Sequence, residues 1–171
     1  MSPGKAQRTP LRPRVGPADG SALGAVLGID PGRSGGIALL HADGHVLHAW
    51  RMPHVRGQQQ EFDREAIAAI VAGAAANGCT HVVCEAPAHV RIKGRLHAHA
   101  SAVLAECAAL FAGLSAAHGL VWETVAATTW QASMGVGSMP GTDTKTRAAF
   151  LALTIWPDLL SLAKSDGEVD A

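Results

Sequence analysis

An excess of positive charge is missing from this chain: 14 lysines and arginines face 14 acids among 171 residues, for a formal net charge of zero. Nucleic-acid-binding domains that announce themselves by charge have a pI above about 9, so any DNA surface here has to be a local patch. The cysteines lack metal-ligand spacing. Cys79, Cys84 and Cys107 are odd in number, and the first two sit in or beside an apolar strand pattern, so they read as buried, reduced thiols of a cytosolic protein. No apolar run reaches the roughly 18 residues that span a membrane. The N-terminus also has no apolar stretch of the kind that marks a secretory signal. The expectation is a soluble, cytoplasmic protein with no membrane partner. The nine histidines, His97 and His99 among them, come without paired cysteines. They read as solvated or DNA-facing side chains rather than a zinc site.

What is present is a chain of the length that one compact domain fills, with 48% apolar residues and much alanine. This predicts plentiful helix and a core of small side chains. Residues 1–22 stand apart. Lys5, Arg8, Arg12 and Arg14 lie among prolines and glycines with almost nothing apolar to bury, the pattern of a disordered basic tail. The folded domain is expected over residues 23–171.

From Gly24 the segments AVLGID, GIALLHA and HVLHAW read as three strands, with Asp43-Gly44 as a hairpin turn between the last two. Phe62 to Asn77 carries Ile67, Ile70, Val71 and Ala74 at helical spacing, and Asn77-Gly78 supplies the stop. A strand THVVCEA, an alanine-rich helix from about Leu96 to His118, and a strand LVWETVA follow. From Thr144 onward the chain reads as helix with a break at Trp156-Pro157, because the residue before proline is pushed out of helical geometry. Three antiparallel strands, helix, strand, helix, strand and helices give an α/β fold: a mixed five-stranded sheet flanked by helices, in the RNase H-like order.

Four acids are placed by this order. Asp30 closes the first strand, ahead of the sharp turn Pro31-Gly32-Arg33-Ser34-Gly35-Gly36, and Glu85 ends the fourth strand before Pro87. Asp166 and Asp170 lie four apart, on one face if their segment is helical. Clustered carboxylates repel one another unless cations lie between them, and an oxygen-rich set suits Mg²⁺ or Mn²⁺. Two such ions about 4 Å apart serve phosphodiester hydrolysis. An isolated acid beside a turn is more often a solvated turn residue. Asp30 and Glu85, however, both interrupt apolar strands.

Taken in order, GIDPGRSGGIALL, VVCEAP, Trp130-Gln131, GVGS with Lys145 after it, and KSDGEVDA resemble the RuvC-like Holliday-junction resolvases, particularly the phage and organellar branch. The resemblance spans about residues 24–171. It implies an RNase H-like fold, a crossover-junction endonuclease using Mg²⁺ or Mn²⁺, a homodimer, and branched DNA as partner, in a cytoplasmic, nucleoid-associated setting. It also implies roles for individual residues. Asp30 and Glu85 become the strand-end metal ligands, Asp166 and Asp170 the acids of the last helix, with Glu168 as a substitute for Asp166, and Lys145 a phosphate contact near the cut. The final acids are four apart here and three apart in bacterial members. The chain stops at Ala171, where the family's last helix continues with an apolar face, so a shortened last helix is expected.

Arg91, Lys93 and Arg95 follow Glu85 closely with Gly94 among them, placing a basic loop beside the proposed metal site. Arg33, Lys145 and Arg147 are counted with them as DNA-binding candidates. Leu96, Val103, Leu104, Leu110, Phe111 and Leu114 read as core, and Trp122, Trp130 and Trp156 as packing. Two other functions compete with the nuclease: a non-catalytic branched-DNA-binding module, and an actin-like ATP-binding protein, for which the chain is too short to supply a second lobe.

Overall fold

The computed structural model describes residues 24–88, 91–92, 95–136 and 143–156. The 1–22 tail, Lys93, Asp166, Glu168 and Asp170 fall outside them, as do the side chains of Arg91, Arg95 and Lys145.

Strand β1 (Ala25–Asp30) alternates buried and partly exposed residues, with Ala25, Leu27 and Ile29 facing the core. It turns into β2 (Gly36–Leu40), its antiparallel neighbour, which buries Ile37 and Leu39. The expected hairpin leads to β3 (Val46–Arg51). Gly44 takes φ 91° there, and the His41 amide donates to the His45 carbonyl at 2.8 Å. A small hairpin follows, β4 (His54–Val55) with β5 (Gln58–Phe62), which the sequence pattern does not separate from its surroundings.

Helix α1 (Arg64–Ala76) begins where the Asp63 carboxylate accepts from the Ala66 amide at 2.9 Å, and it ends at Asn77. This is an N-cap followed by a stop of the kind the sequence indicates. Strand β6 (Cys79–Glu85) runs parallel to β1. A two-stranded ribbon, β7 (Arg91–Ile92) with β8 (Arg95–Leu96), replaces the plain loop expected there. Helix α2 (Ala98–Ala117) leads to β9 (Val121–Val125), parallel to β6. A short helix α3 (Ala127–Ser133), not anticipated, and helix α4 (Thr144–Ile155) follow. α4 stops at Trp156, the break expected before Pro157.

The five long strands form one mixed sheet in the order β3-β2-β1-β6-β9. One face packs on α1 and α2, where Leu27, Ile67, Val71, Val82, Cys107 and Phe111 are fully buried. Strand side chains alternate between faces, so Gly28 and Asp30 lie on the opposite side. There they share a shallow apolar cleft with Trp130, Ala148, Leu151 and Trp156 of the α3–α4 region.

One expectation needs correction. α2, 20 residues long with a mean hydropathy of 1.7, is long and apolar enough to cross a membrane by length and composition. It is hard to see in the sequence because Glu106 and the small alanines break up any visibly greasy run. In this fold one face of α2 is buried, through Cys107, Ala108, Phe111 and Ser115, and the first three join the core cluster on the sheet.

Candidate metal centre and nucleic-acid interface

β1 and β6 are parallel, with Ile29 opposite Cys84. The next residue on each strand is therefore one of the two candidate acids, so Asp30 and Glu85 stand side by side at the same end of neighbouring strands. Both line one open cleft of about 610 Å³, together with Ser34, Val83, Val125 and Trp130. Ile29 and Cys84 are buried, and the period of two turns the acids to the other face.

The turn after β1 holds Asp30 through its backbone. The Gly35 amide donates to the Gly32 carbonyl at 3.1 Å, and the Gly35 carbonyl accepts from the Met52 amide at 3.1 Å. A Cβ added at Gly35 would lie 2.0 Å from the Asp30 carbonyl oxygen, so only glycine permits this closeness. Gly32 adopts φ 122°, a region side-chain-bearing residues avoid.

Glu85 is held from the other direction. It pairs with Val125 of β9, and the next amide, Ala86, donates to the Val125 carbonyl at 2.8 Å. Trp130, on α3 directly beyond β9, donates its indole Nε1–H to Glu85 Oε2 at 2.7 Å. The sequence reads Trp130 as packing; it is instead the hydrogen-bond donor that fixes one oxygen of a candidate ligand. The Trp130-Gln131 segment is among the motifs carrying the family resemblance, and that is the one sequence signal for it.

Beneath the acids, burial pushes the Cys84 thiol up to about 12, with the neighbouring Cys107 thiol and the charges of Asp30 and Glu85 adding to the effect. The thiol therefore keeps its proton, and the donors exposed at this sheet edge are carboxylate oxygens. Such a donor set fits a hard divalent cation such as Mg²⁺ or Mn²⁺ rather than zinc. No three histidine, cysteine or acidic side chains converge as a metal cage among the described residues. Asp30 and Glu85 are the described members of the expected carboxylate set.

The basic candidates surround this edge unevenly. Ala148 of α4 lines the acidic cleft, which brings the helix carrying Lys145 and Arg147 to its border. Arg147 donates Nη1 to the Val136 carbonyl at 3.0 Å, so part of its guanidinium ties α4 to the segment after α3. Arg33, in the β1–β2 turn, lines a different cleft from the acids and donates Nη2 to His99 Nε2 at 3.4 Å. The β7–β8 ribbon follows six residues after Glu85, keeping the Arg91–Arg95 segment close to the acids along the chain.

No family model matches the chain, and no curated protein matches it. Among solved structures, it is similar to T. thermophilus RuvC in complex with Holliday junction substrate. That likeness has a TM-score of 0.56 at 15% identity and covers 78% of this chain and 79% of the other. The mixed sheet with flanking helices is an RNase H-like fold.

Proposed function

We propose that this protein is a structure-selective endonuclease that resolves four-way DNA junctions by divalent-metal-dependent hydrolysis of a phosphodiester. The observation that carries this reading is the placement of Asp30 and Glu85 at adjacent parallel strand ends in one open cleft. Two carboxylates held side by side in one open cleft are a ready pair of oxygen ligands for a hard divalent cation, and the sheet enforces the pairing. The fold shared with a resolvase bound to its junction supports the choice of substrate.

Asp30 and Glu85 would hold the metal, with Asp166 and Asp170 proposed to complete the set. When bound, Mg²⁺ or Mn²⁺ supplies an activated water and charge stabilisation for the leaving oxygen. Trp130 orients Glu85 by engaging Oε2, which leaves the other carboxylate oxygen for the cation. The Gly32–Gly35 turn keeps Asp30 in place. Lys145, Arg147 and the β7–β8 ribbon are proposed to hold the phosphate backbone against this edge, and a homodimer would present two such edges to a symmetric junction. The test is cleavage of a synthetic four-way junction with and without Mg²⁺. Paired, magnesium-dependent nicks support the proposal. Tight junction binding with no cleavage at any divalent concentration selects the non-catalytic module instead.

A further inference from the structure

A second cleft, of about 960 Å³, opens at the β1–β2 turn and is not lined by either acid. Its walls come from that turn, from the β3–β4 connection with the β4–β5 hairpin, and from the first turns of α2. Six of its lining side chains are cationic or can become so: Arg33, Arg51, Arg56, His54, His97 and His99. No acid lines it among the described residues. In a chain with equal numbers of acids and bases, this local imbalance is a marked departure.

The charges are also unspent. The only ion pairs among the described residues are Arg64 with Glu106 and His41 with Asp43, so Arg33, Arg51 and Arg56 have no described carboxylate partner. The Nε of Arg33 is buried without a hydrogen-bond partner among the described residues. His54 braces the cleft from within: Nε2 donates to the Arg33 carbonyl at 2.7 Å, and Nδ1 lies 3.3 Å from the Glu61 carbonyl. Both ring nitrogens thus face backbone carbonyls, which ties the β4–β5 hairpin to the β1–β2 turn. Ser34 lines this cleft and the acidic one, so the two border each other at the turn.

We infer that this cleft is a phosphate-binding groove that takes a stretch of DNA backbone leading to the acidic edge. The inference rests on the nuclease reading above and assigns a contact surface beyond the ribbon and α4. Repulsive cations held together without acids are stabilised by a polyanion, and a phosphodiester strand is the polyanion the neighbouring acids act on. Arg51 and Arg56, both exposed, supply the outer contacts; Arg33, His97 and His99 supply those nearer the turn.

The experiment measures binding of a labelled four-way junction, in Ca²⁺ to prevent cleavage, across a salt series for the wild type, Arg51→Gln, Arg56→Gln, the double variant and Arg64→Gln. Removing one cation that neutralises a phosphate should reduce the slope of log K against log salt by about 0.9. The double variant should therefore show a slope smaller by about 1.8 and an affinity at least tenfold weaker. Arg64→Gln, which removes the same charge outside the groove, should match the wild type. Wild-type binding with an unchanged slope in the double variant overturns the groove alone, and so does an equal weakening in Arg64→Gln. Absence of wild-type junction binding overturns the groove together with the nuclease reading.

Discussion

Trp130 and Glu85, 45 residues apart in the chain, meet through a 2.7 Å hydrogen bond from the indole Nε1–H to Oε2. The bond gives the carboxylate a single preferred orientation and takes up one of its oxygens. Trp130→Phe keeps an aromatic ring and removes the donor. It is expected to raise the Mg²⁺ concentration needed for half-maximal cleavage by about 10–100-fold, the usual effect of removing a group that orients a metal ligand. The thermal unfolding midpoint should move little. A Mg²⁺ titration of cleavage in which Trp130→Phe and wild type superimpose would show that the bond is packing only.

Asp30→Asn is expected to abolish cleavage while leaving junction binding intact or stronger. The amide keeps the shape of the side chain but not the charge that holds a divalent cation. One negative charge fewer near phosphates favours binding. Glu85→Gln and Asp170→Asn should behave alike, with a smaller effect for Asp166→Asn. Binding and cleavage are to be measured on the same folded preparation. Full magnesium-dependent cleavage by Asp30→Asn would falsify the mechanism, and so would parallel loss of binding and cleavage.

The strands are legible in the sequence because each is a short apolar run closed by a turn signal. AVLGID, GIALL and VVCE need only alternation and the turn residues around them. The pairing of Asp30 with Glu85 follows from two acids that each terminate such a run. The β4–β5 hairpin is not legible: Gln58, Gln59 and Gln60 show no polar–apolar alternation, and only Gly57, at φ 77°, marks the turn. The cationic groove is hidden for a different reason. Its lining residues are scattered from Arg33 to His99, and nothing but the fold brings them together. The Trp130 hydrogen bond is hidden likewise, since α3 reaches Glu85 only after β9 has docked beside β6.

The Arg91–Arg95 ribbon leads to a third expectation. Replacing Arg91, Lys93 and Arg95 together by alanine should weaken junction binding and flatten its salt dependence by up to about 2.7 in slope, at about 0.9 per phosphate no longer neutralised. The check is a fluorescence-anisotropy titration at several salt concentrations. Unchanged affinity and slope would remove the ribbon from the interface.

A fourth concerns alkaline stability. Burial, reinforced by Cys107, Asp30 and Glu85, raises the Cys84 thiol from its ordinary 9.0 to about 12. The folded-state value exceeds the unfolded one, so its contribution is intact below about pH 9 and is lost as pH climbs toward 12. Cys79 and Cys107 are raised as well, and no tyrosine is present to titrate in the same window. Urea unfolding at pH values from about 7.5 to about 10.5 should show a falling midpoint above about pH 9, with a shallower fall in Cys84→Ala. A midpoint that is flat in both proteins would contradict the burial of these thiols.

Asp30 and Glu85 ride on β1 and β6, two of the three interior strands of the five-stranded order, whereas one wall of the groove, with His54 and Arg56, is a two-stranded hairpin outside that sheet. Interior strands open only when the whole domain does, while small peripheral units fray at much lower free energy. Amide exchange should therefore be slowest at Ile29 and Cys84 and faster by orders of magnitude at His54 and Gln58. As the temperature rises, the protein should lose the Arg56 side of its groove well before it loses the geometry of its carboxylate pair.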